Sequence, residues 1–287
     1  MAPRRPTATL GRVLTLFSIP KPFSGRTGEI QRNALASWAA LGEGIQVVLV
    51  GDGVGVAEAA RDTGAEHVGS TASSERGTPR LDHAFAQVDA IARHPWRCFV
   101  NADVVFLDDL VPAVKRIVDI APRSLTIGRC WDLDLSAGLD VSTPDWATRL
   151  RLAARRDGVL RGAAALDWFV FPAGLFDPMP PFLVGRAGFD NWLVWKARRQ
   201  GMVVDATHDV TAVHQRHDYD HLAGGKDEAY YGDEAAANLA LVGGKSRLFT
   251  AHDASHVLRD GSLRRNHGST LRARETARKA AWKLGLR

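Results

Sequence analysis

Residues 96–109 of the chain, WRCFVNADVVFLDD, decide the fold that the sequence predicts. Within them, the apolar run 98–100 leads into Asn101, Ala102 and Asp103, and four more apolar residues precede two acids. A short apolar run that is bounded by polar residues is typical of a buried central strand. Ligands of open α/β sheets bind beyond the carboxyl ends of such strands, which is where Asp103 falls. Its carboxylate suits a divalent cation that also contacts phosphate oxygens, although an acid after a strand is more often a turn or capping residue.

Strands and helices alternate along the chain around this segment. Hydrophobic periodicity predicts strands at 13–19, Ile45–Val50 and Glu66–Val68, with helices at 30–41 and 56–62 between them. This order predicts an α/β fold with a mostly parallel central sheet, right-handed crossovers and flanking helices. Later elements are predicted as helices at 81–93 and Leu110–Ile120 and as strands at Ser124–Ile127, 164–172 and 202–206. Residues 131–156 are polar and predict a loop-rich excursion.

Length and composition indicate a globular protein with one large α/β domain, which we place at residues 10–258. The chain has 287 residues, of which 45% are hydrophobic and 24% charged. Cys98 and Cys130 lie in apolar segments and predict buried free thiols in a reducing compartment. No run approaches the roughly 18 apolar residues of a membrane span. The short apolar run after Arg4 and Arg5 predicts a first strand rather than a signal peptide, so we expect the cytoplasm.

The last residues, 259–287, predict a basic and mostly helical tail. The chain has a net charge of +5, and much of the excess lies in this tail. Such a helix could lie on an anionic membrane beside a lipid-linked acceptor, or it could simply be solvated. A solvated helix is slightly favoured, peripheral membrane contact is the alternative, and we expect no nucleic acid as a partner.

The second half of the chain adds candidate acids and histidines. Asp190 falls near the start of a helix, where it could be a general base or a first-turn acid favoured by the helix dipole. Asp167 is a rival base, because an acid in an aromatic-rich strand needs a partner or a ligand. His214, His217 and His221 could form a zinc site, but the HExxH pattern and a nearby cysteine are both missing.

Taken in order, these segments resemble nucleotide-sugar glycosyltransferases of the GT-A fold, over roughly residues 12–222. Asn101-Ala102-Asp103 stands where that family has its DxD motif, with a neutral residue in the first position. The other matching features are the loop 18–20, Asp52 after the second strand, the turn 77–80, the helix start 188–192 and a histidine after the strand that follows. The resemblance implies an enzyme of the hexosyltransferase class. It would move a sugar from a nucleotide-diphospho-sugar, a UDP-sugar, to an acceptor hydroxyl with inversion.

The resemblance also implies the site residues. The metal would be held by Asp103 with His214, or with His217 in its place, and we expect Mn²⁺ rather than Mg²⁺ because Mn²⁺ tolerates imidazole better. Asp190 or Asp167 would be the catalytic base. The donor would be bound by Ser18, Pro20, Arg32, Asp52, Arg80, Asn101 and Asp103. The acceptor, which could be a glycan, a lipid-linked sugar or a small molecule, would be bound by Trp168, Trp192 and His217. Trp168, Trp192 and Trp195 could include a stacking platform for a sugar ring, but core packing is the expected role of at least one of them.

Three other functions remain open at this stage. Asn101 weakens the motif and leaves open a non-catalytic nucleotide-binding protein of the same fold that docks on nucleic acid or membrane. A sugar-phosphate nucleotidyltransferase would share the fold, but the loop SIPKPFSG at 18–25 lacks its glycine-rich basic signature. The glycines at 51, 53 and 55 lack the GxGxxG spacing and follow the second strand, which disfavours a dinucleotide site.

Overall fold

The protein is described by a computed structural model that covers residues 14–135, 138–217, 224–267 and residue 273. The helices are α1 Gly25–Ala39, α2 Val56–Thr63, α3 Leu81–Ile91, α4 Leu110–Ile120, α5 Trp146–Asp157, α6 Phe189–Gln200, α7 Gly225–Tyr231 and α8 Asp233–Val242. The strands are β1 Leu14–Ser18, β2 Ile45–Val50, β3 Glu66–Val68, β4 Trp96–Val100, β5 Val104–Phe106, β6 Ser124–Ile127, β7 Trp131–Leu133, β8 Val159–Leu160, β9 Trp168–Pro172, β10 Met202–Asp205, β11 Ala212–Gln215, β12 His256–Arg259 and β13 Ser262–Arg265.

The larger sheet confirms the predicted fold class. Among the described residues it has nine strands in the order β13-β12-β10-β6-β9-β4-β1-β2-β3. Strand β1 pairs in parallel with β2 and β4, and β10 pairs in parallel with β6 and β12. Strand β9 is antiparallel to both β4 and β6, and therefore joins two parallel halves. The carboxyl ends of β1, β2 and β4 consequently meet at one edge of the sheet.

Alternating side chains on the strands build a hydrophobic core on each face of this sheet. Leu14 and Leu16 of β1 point to the face that is covered by α1, α2 and α4. Phe17 points to the opposite face, which α3 and α6 cover with Phe85 and Leu193 among others. Because both faces are covered, the strands β1 and β4 are buried along their whole length.

A smaller sheet corrects the expectation that residues 131–156 form loops. Its four strands have the order β5-β11-β7-β8, and α5 packs against it. Val105, Val213 and Leu150 belong to a separate hydrophobic cluster between this sheet and α5. The sequence of this segment suggests loops for two reasons. Helix α5 buries only a narrow apolar stripe and carries several arginines, and the strands β7 and β8 are only three and two residues long.

The carboxyl-terminal region differs in part from the predicted tail. Strand β13 lies inside the segment 259–287 and pairs antiparallel with β12 at the edge of the central sheet. The sheet therefore continues to Arg265, seven residues beyond the predicted end of the domain at 258. The rest of the predicted helical tail, from 268 onward, lies outside the described residues apart from Ala273.

Two further expectations concern the cysteines and the membrane. Cys98 and Cys130 are buried free thiols, as predicted. Burial raises the pKa of both thiols well above the ordinary value, so they remain protonated and unreactive. Within the described ranges, no helix combines the length and the apolar character needed to cross a membrane.

Candidate active site

A cavity of about 570 Å³ opens where β1, β2 and β4 end. Ser18 is the last residue of β1, Gly51 follows β2 and Asn101 follows β4, and all three line this cavity. Among the residues predicted to form the site, the following line it as well: Pro20, Asp52, Asp103, Asp167, Asp190, His214 and His217. The fold thus brings together residues that are up to about 200 positions apart in the chain.

Asp103, His214 and His217 form a candidate metal site in the wall of the cavity. One ligand atom from each lies within 4.8 Å of the others. The Asp103 Oδ2 atom lies 2.9 Å from His217 Nε2 and 3.6 Å from His214 Nε2. The second oxygen of Asp103, Oδ1, is buried and has no hydrogen-bond partner among the described residues. A carboxylate with an unpartnered oxygen beside two imidazole nitrogens fits a divalent metal ion.

Strand register explains why Asp103 and His214 meet. Asp103 lies immediately before β5, and β5 runs antiparallel to β11 with Val104 opposite His214. The Gln215 amide also donates to the Asp103 carbonyl oxygen at 3.2 Å. Helix α1 fixes the back of both strands, because Trp38 Nε1 donates to the Val104 carbonyl oxygen at 2.9 Å. The candidate metal site is therefore built on paired strands and is held by a packed helix.

Asp132 orients His214 within this cluster. It lies directly opposite His214 in the parallel pairing of β7 with β11. Its Oδ1 atom is 2.7 Å from His214 Nδ1, which leaves Nε2 on the side of Asp103. Histidines that bind metals commonly hold a carboxylate with their other ring nitrogen, and this partner fixes the tautomer. Asp132 was not among the predicted site residues, because the polar composition of residues 131–156 predicts loops.

Electrostatics keep the two acids of this cluster ionised. Burial alone would raise the pKa of Asp103, but the nearby His214, the hydrogen bond from His217 and the charge of Lys21 hold this pKa well below its ordinary value. The hydrogen bond with His214 lowers the pKa of Asp132. Both carboxylates are therefore charged at neutral pH and can act as ligands or as hydrogen-bond acceptors.

The two candidate bases have different surroundings. Asp190 is the second residue of α6, and burial raises the pKa of its carboxyl group to about 7, with a further increase from the charge of Asp167. Asp167 accepts a hydrogen bond from Asn101 Nδ2 at 3.0 Å, and its other oxygen lies 3.6 Å from Arg161 Nη1. Asn101, which was predicted to bind the donor, therefore holds Asp167 in place.

Four residues that were predicted to contact substrates do not line the cavity. Trp168 is fully buried against Phe106, and Trp192 packs on Phe182 with only 4% of its surface exposed. Neither indole can therefore serve as a platform for an acceptor. Arg80 pairs with Asp82 at 2.6 Å outside the cavity. The fourth residue is Arg32, which lies on the exposed side of α1 and packs over the ring of Phe23.

Arg32 was predicted to bind the donor. Its neighbour Gln31 faces inward instead and binds the backbone of Lys21 from both sides. The Lys21 amide donates to Gln31 Oε1 at 2.7 Å, and Gln31 Nε2 donates to the Lys21 carbonyl oxygen at 2.9 Å. Lys21 lines the cavity, and burial is the main reason why its pKa is lowered. Lys21 was not among the predicted site residues, although its place in the loop after the first strand is visible in the sequence.

His217, Arg186 and Tyr230 complete the wall of the cavity. His217, which was predicted to contact the acceptor or to join the metal site, lies against Asp103 in the candidate metal site. Arg186 and Tyr230 were not predicted, and both line the cavity on the side of α6 and α7. The third histidine of the predicted cluster, His221, lies outside the described residues.

Comparisons with known proteins give matches to solved structures only. No family model matches the chain, and no curated protein sequence matches it. One similar structure is the mannosyltransferase PcManGT from Pyrobaculum calidifontis in complex with GDP-Man and Mn²⁺, which is 16% identical with a TM-score of 0.44. That alignment covers 70% of this chain and 56% of the mannosyltransferase.

Two other similar structures come from bacteria. TarS from S. aureus is 14% identical with a TM-score of 0.48, and the alignment covers 71% of this chain and 37% of TarS. Glucosyl-3-phosphoglycerate synthase from Mycobacterium tuberculosis, in complex with Mn²⁺, UDP and glucosyl-3-phosphoglycerate, is 13% identical with a TM-score of 0.45 and 86% coverage of both chains. The chain spans about half or less of the first two proteins.

Proposed function

We propose that this protein is a glycosyltransferase that moves a sugar from a nucleotide-diphospho-sugar to an acceptor hydroxyl, with a divalent metal and with inversion. The observation that carries this proposal is the cavity itself. A candidate metal site and a carboxyl group with a pKa of about 7 line one cavity at the carboxyl edge of a mostly parallel sheet. A divalent metal ion in the candidate site would stabilise a diphosphate leaving group. A carboxyl group with a pKa near neutrality can accept the proton of an acceptor hydroxyl.

Asp190 suits the role of general base better than Asp167 does. A base works best when its pKa lies near the operating pH, and the pKa of Asp190 is about 7. Asp167 is already engaged by Asn101 and by the guanidinium of Arg161. We therefore assign the proton transfer to Asp190 and assign Asp167 to electrostatic support, because its charge helps to raise the pKa of Asp190.

The proposed reaction is a single displacement. Asp190 accepts the proton of the acceptor hydroxyl while the hydroxyl oxygen forms a bond to the anomeric carbon of the sugar. The bond between that carbon and the diphosphate oxygen breaks, and the nucleoside diphosphate leaves with the electron pair. Because the new bond forms on the face opposite the leaving group, the anomeric configuration is inverted.

Asp103, His214 and His217 would hold the metal, with Asp132 keeping His214 in position. A bound divalent ion supplies positive charge that offsets the charge of a leaving diphosphate. We propose Mn²⁺ in preference to Mg²⁺, because two of the three side chains offer imidazole nitrogen.

The nucleotide is proposed to occupy the end of the cavity formed by Ser18, Pro20 and Asp52, which follow β1 and β2. We take UDP as the nucleotide to test first. The acceptor, whether a glycan, a lipid-linked sugar or a small molecule, would enter on the side of Asp190. The buried free cysteines agree with work in a reducing compartment such as the cytoplasm.

A thermal-shift screen with UDP, GDP, CMP and dTDP, each with and without Mn²⁺, tests the donor site. We expect one nucleotide to raise the melting temperature only when Mn²⁺ is present. The Asp103→Asn variant should lose this shift, whereas Asp134→Asn should keep it, because Asp134 is an exposed acid that pairs with Arg26 outside the cavity. No shift with any nucleotide in the native chain would refute the proposed donor site.

Turnover separates an enzyme from a nucleotide-binding protein of the same fold. The release of nucleoside diphosphate from the matching sugar nucleotide should require metal and stop when EDTA is added. Full activity in EDTA would refute the metal assignment. Binding of the nucleotide without any release or transfer, in a folded protein supplied with acceptors, would favour the non-catalytic alternative.

A further inference from the structure

Arg186 occupies an unusual position in the wall of the cavity. It lies in the loop that leads into α6, four residues before Asp190, and its side chain is 9% exposed. Its Nε and Nη2 atoms both donate to Glu234 Oε2, at 3.0 and 2.7 Å, and Nη2 also donates to Thr78 Oγ1 at 3.2 Å. The structure gives Nη1 no partner among the described residues, although Arg186 lines the cavity. Two of the hydrogen-bond donors of this arginine therefore remain available.

Helix α8 holds Arg186 at two points. Glu234, in the first turn of α8, binds the guanidinium group. Asn238, one turn later and fully buried, donates from Nδ2 to the carbonyl oxygens of Leu183 and Arg186, at 3.0 and 3.3 Å. Both the backbone and the side chain of Arg186 are thus fixed. Such preorganisation is typical of a residue that recognises a ligand.

Glu234 orients Arg186 without leaving an unsatisfied charge. Besides Arg186, its carboxylate accepts hydrogen bonds from Ser74 Oγ at 2.5 Å and from Thr78 Oγ1 at 2.8 Å. Burial raises the pKa of Glu234, but these hydroxyl groups and the guanidinium bring it below its ordinary value, so the carboxylate stays ionised. A buried ion pair is weak evidence for stability, since apolar residues of similar size would often stabilise a fold as well. A role in binding accounts for it better.

The surroundings of Arg186 favour an anion. Lys21 also lines the cavity. Burial lowers the pKa of Lys21, the negative charge of Asp103 raises it, and the positive charge of Arg186 lowers it further. Two cations that repel each other across a cavity are stabilised by an anion that lies between them. The guanidinium matches the geometry of a phosphate or a carboxylate, to which it donates in fixed directions.

The position of Arg186 assigns this anion to the acceptor. Arg186 and Asp190 flank the same turn at the start of α6, and the Ala187 amide binds the Ala229 carbonyl oxygen of α7 at 3.2 Å. The donor's diphosphate is expected beside Asp103, which follows β4, whereas Arg186 precedes α6. We infer that Arg186, oriented by Glu234, binds a phosphate or carboxylate group of the acceptor. This inference rests on the proposed function, which makes Asp190 the residue that faces the acceptor hydroxyl.

Calorimetric titration with inorganic phosphate tests the inference on the full chain. Phosphate should bind when the donor site is already saturated with UDP and Mn²⁺, or with the nucleotide that the thermal-shift screen identifies. The Arg186→Gln variant should bind phosphate about tenfold or more weakly, because a charge-assisted hydrogen bond is lost. Arg61→Gln is the matched control, since Arg61 is an exposed arginine that pairs with Glu58 away from the cavity.

A second variant guards against misfolding, because Arg186→Gln leaves Glu234 without its cation. The double variant Arg186→Gln, Glu234→Gln removes both charges and should fold, with the same loss of phosphate binding. Equal phosphate affinity in the native chain and in a folded Arg186 variant would overturn the inference. So would displacement of phosphate by the nucleotide with Mn²⁺, since the anion would then be the donor's diphosphate. If no nucleotide binds but phosphate binding still depends on Arg186, the proposed function fails and the anion site stands.

Discussion

The carboxyl group of Asp190 must be ionised before it can accept the proton of an acceptor hydroxyl. Burial raises its pKa to about 7, so the ionised fraction changes steeply across neutral pH. We expect kcat/KM to rise about tenfold per pH unit below pH 7 and to level off above it. A pH–rate profile of the native enzyme measures this limb. A profile that is flat between pH 5 and pH 8 would contradict the assignment of Asp190 as the base.

The raised pKa of Asp190 also makes a prediction about stability. The ordinary pKa of an aspartate is 3.8, and the folded protein binds this proton more tightly than the unfolded chain does. Stability therefore falls as the pH rises from about 4 to about 7, by up to about 4 kcal/mol. Asp190→Asn carries no such charge, so its melting temperature should exceed that of the native chain at pH 8 and approach it at pH 4. Turnover should fall by about 10² to 10⁴ in the same variant. If Asp190→Asn melts at the same temperature as the native chain at pH 8, ionisation of Asp190 does not destabilise the fold.

A third prediction concerns Asp132, which contacts His214 and acts on the candidate metal site through that histidine. Asp132→Asn should weaken Mn²⁺ binding about 10- to 100-fold while the protein stays folded. Thermal shift or calorimetry with Mn²⁺ alone gives this affinity. Asp134→Asn is the matched control, two residues away and outside the cavity. Unchanged Mn²⁺ affinity in Asp132→Asn would show that Asp132 does not position a ligand.

Single residues also show which parts of the site could be read from the sequence. Asp103 was predictable, because a carboxylate that follows a buried strand falls at the ligand-binding edge of a parallel sheet. Asp132 was not, because its partner His214 is chosen by the register of β7 on β11. Trp168 was assigned to the acceptor by its residue type. Its burial depends on close packing against the backbone of Gly128, where a Cβ atom would overlap the indole ring, and a linear sequence does not show this contact.

At the scale of elements, β4 is the centre of the structure, as its sequence indicates. It pairs with β1 on one side and with β9 on the other, and Phe99 contacts Phe17 and Phe169 on the face covered by α3 and α6. The long, strongly apolar elements were predictable because their periodicity matches a buried strand or an amphipathic helix. The short strands β7 and β8 were not, because both lie in or next to the polar segment 131–156, whose composition favours loops.

This aromatic cluster predicts a large loss of stability in Phe99→Ala. Phe99 is 1% exposed, and its ring centroid lies 5.3 Å from that of Phe85 and 6.3 Å from that of Phe189, which begins α6. Removal of the ring should cost about 3–5 kcal/mol in the free energy of unfolding, as measured by urea denaturation. Val54→Ala, at an exposed position, should change it by less than about 0.5 kcal/mol. A loss below about 1 kcal/mol in Phe99→Ala would contradict the packing described.

At the scale of the whole molecule, the sheet has two parallel halves that are joined through β9. The sequence predicted the alternation of strands and helices, but not the antiparallel β9 or the hairpin of β12 and β13 at the edge. Strand order depends on which elements bury each other's apolar faces, and periodicity reports only that a face is apolar. The cavity forms where β1, β2 and β4 end, so the position of the site follows from the parallel half that the sequence did predict.

The basic tail gives the last prediction, and it concerns the charge of the whole chain. Residues 268–287 contain six lysines and arginines and one acid, so this segment carries a charge equal to the net +5 of the chain. Each cation near an anionic membrane contributes about 1 kcal/mol. The full chain should co-sediment with vesicles that contain phosphatidylglycerol, but not with neutral vesicles, and high salt should release it. Truncation after His267 should abolish co-sedimentation. The melting temperature should stay unchanged, because this truncated chain keeps β13, which truncation after residue 258 would remove. A full chain that never co-sediments, or a truncated chain that sediments as well as the full one, would contradict a membrane role for the tail.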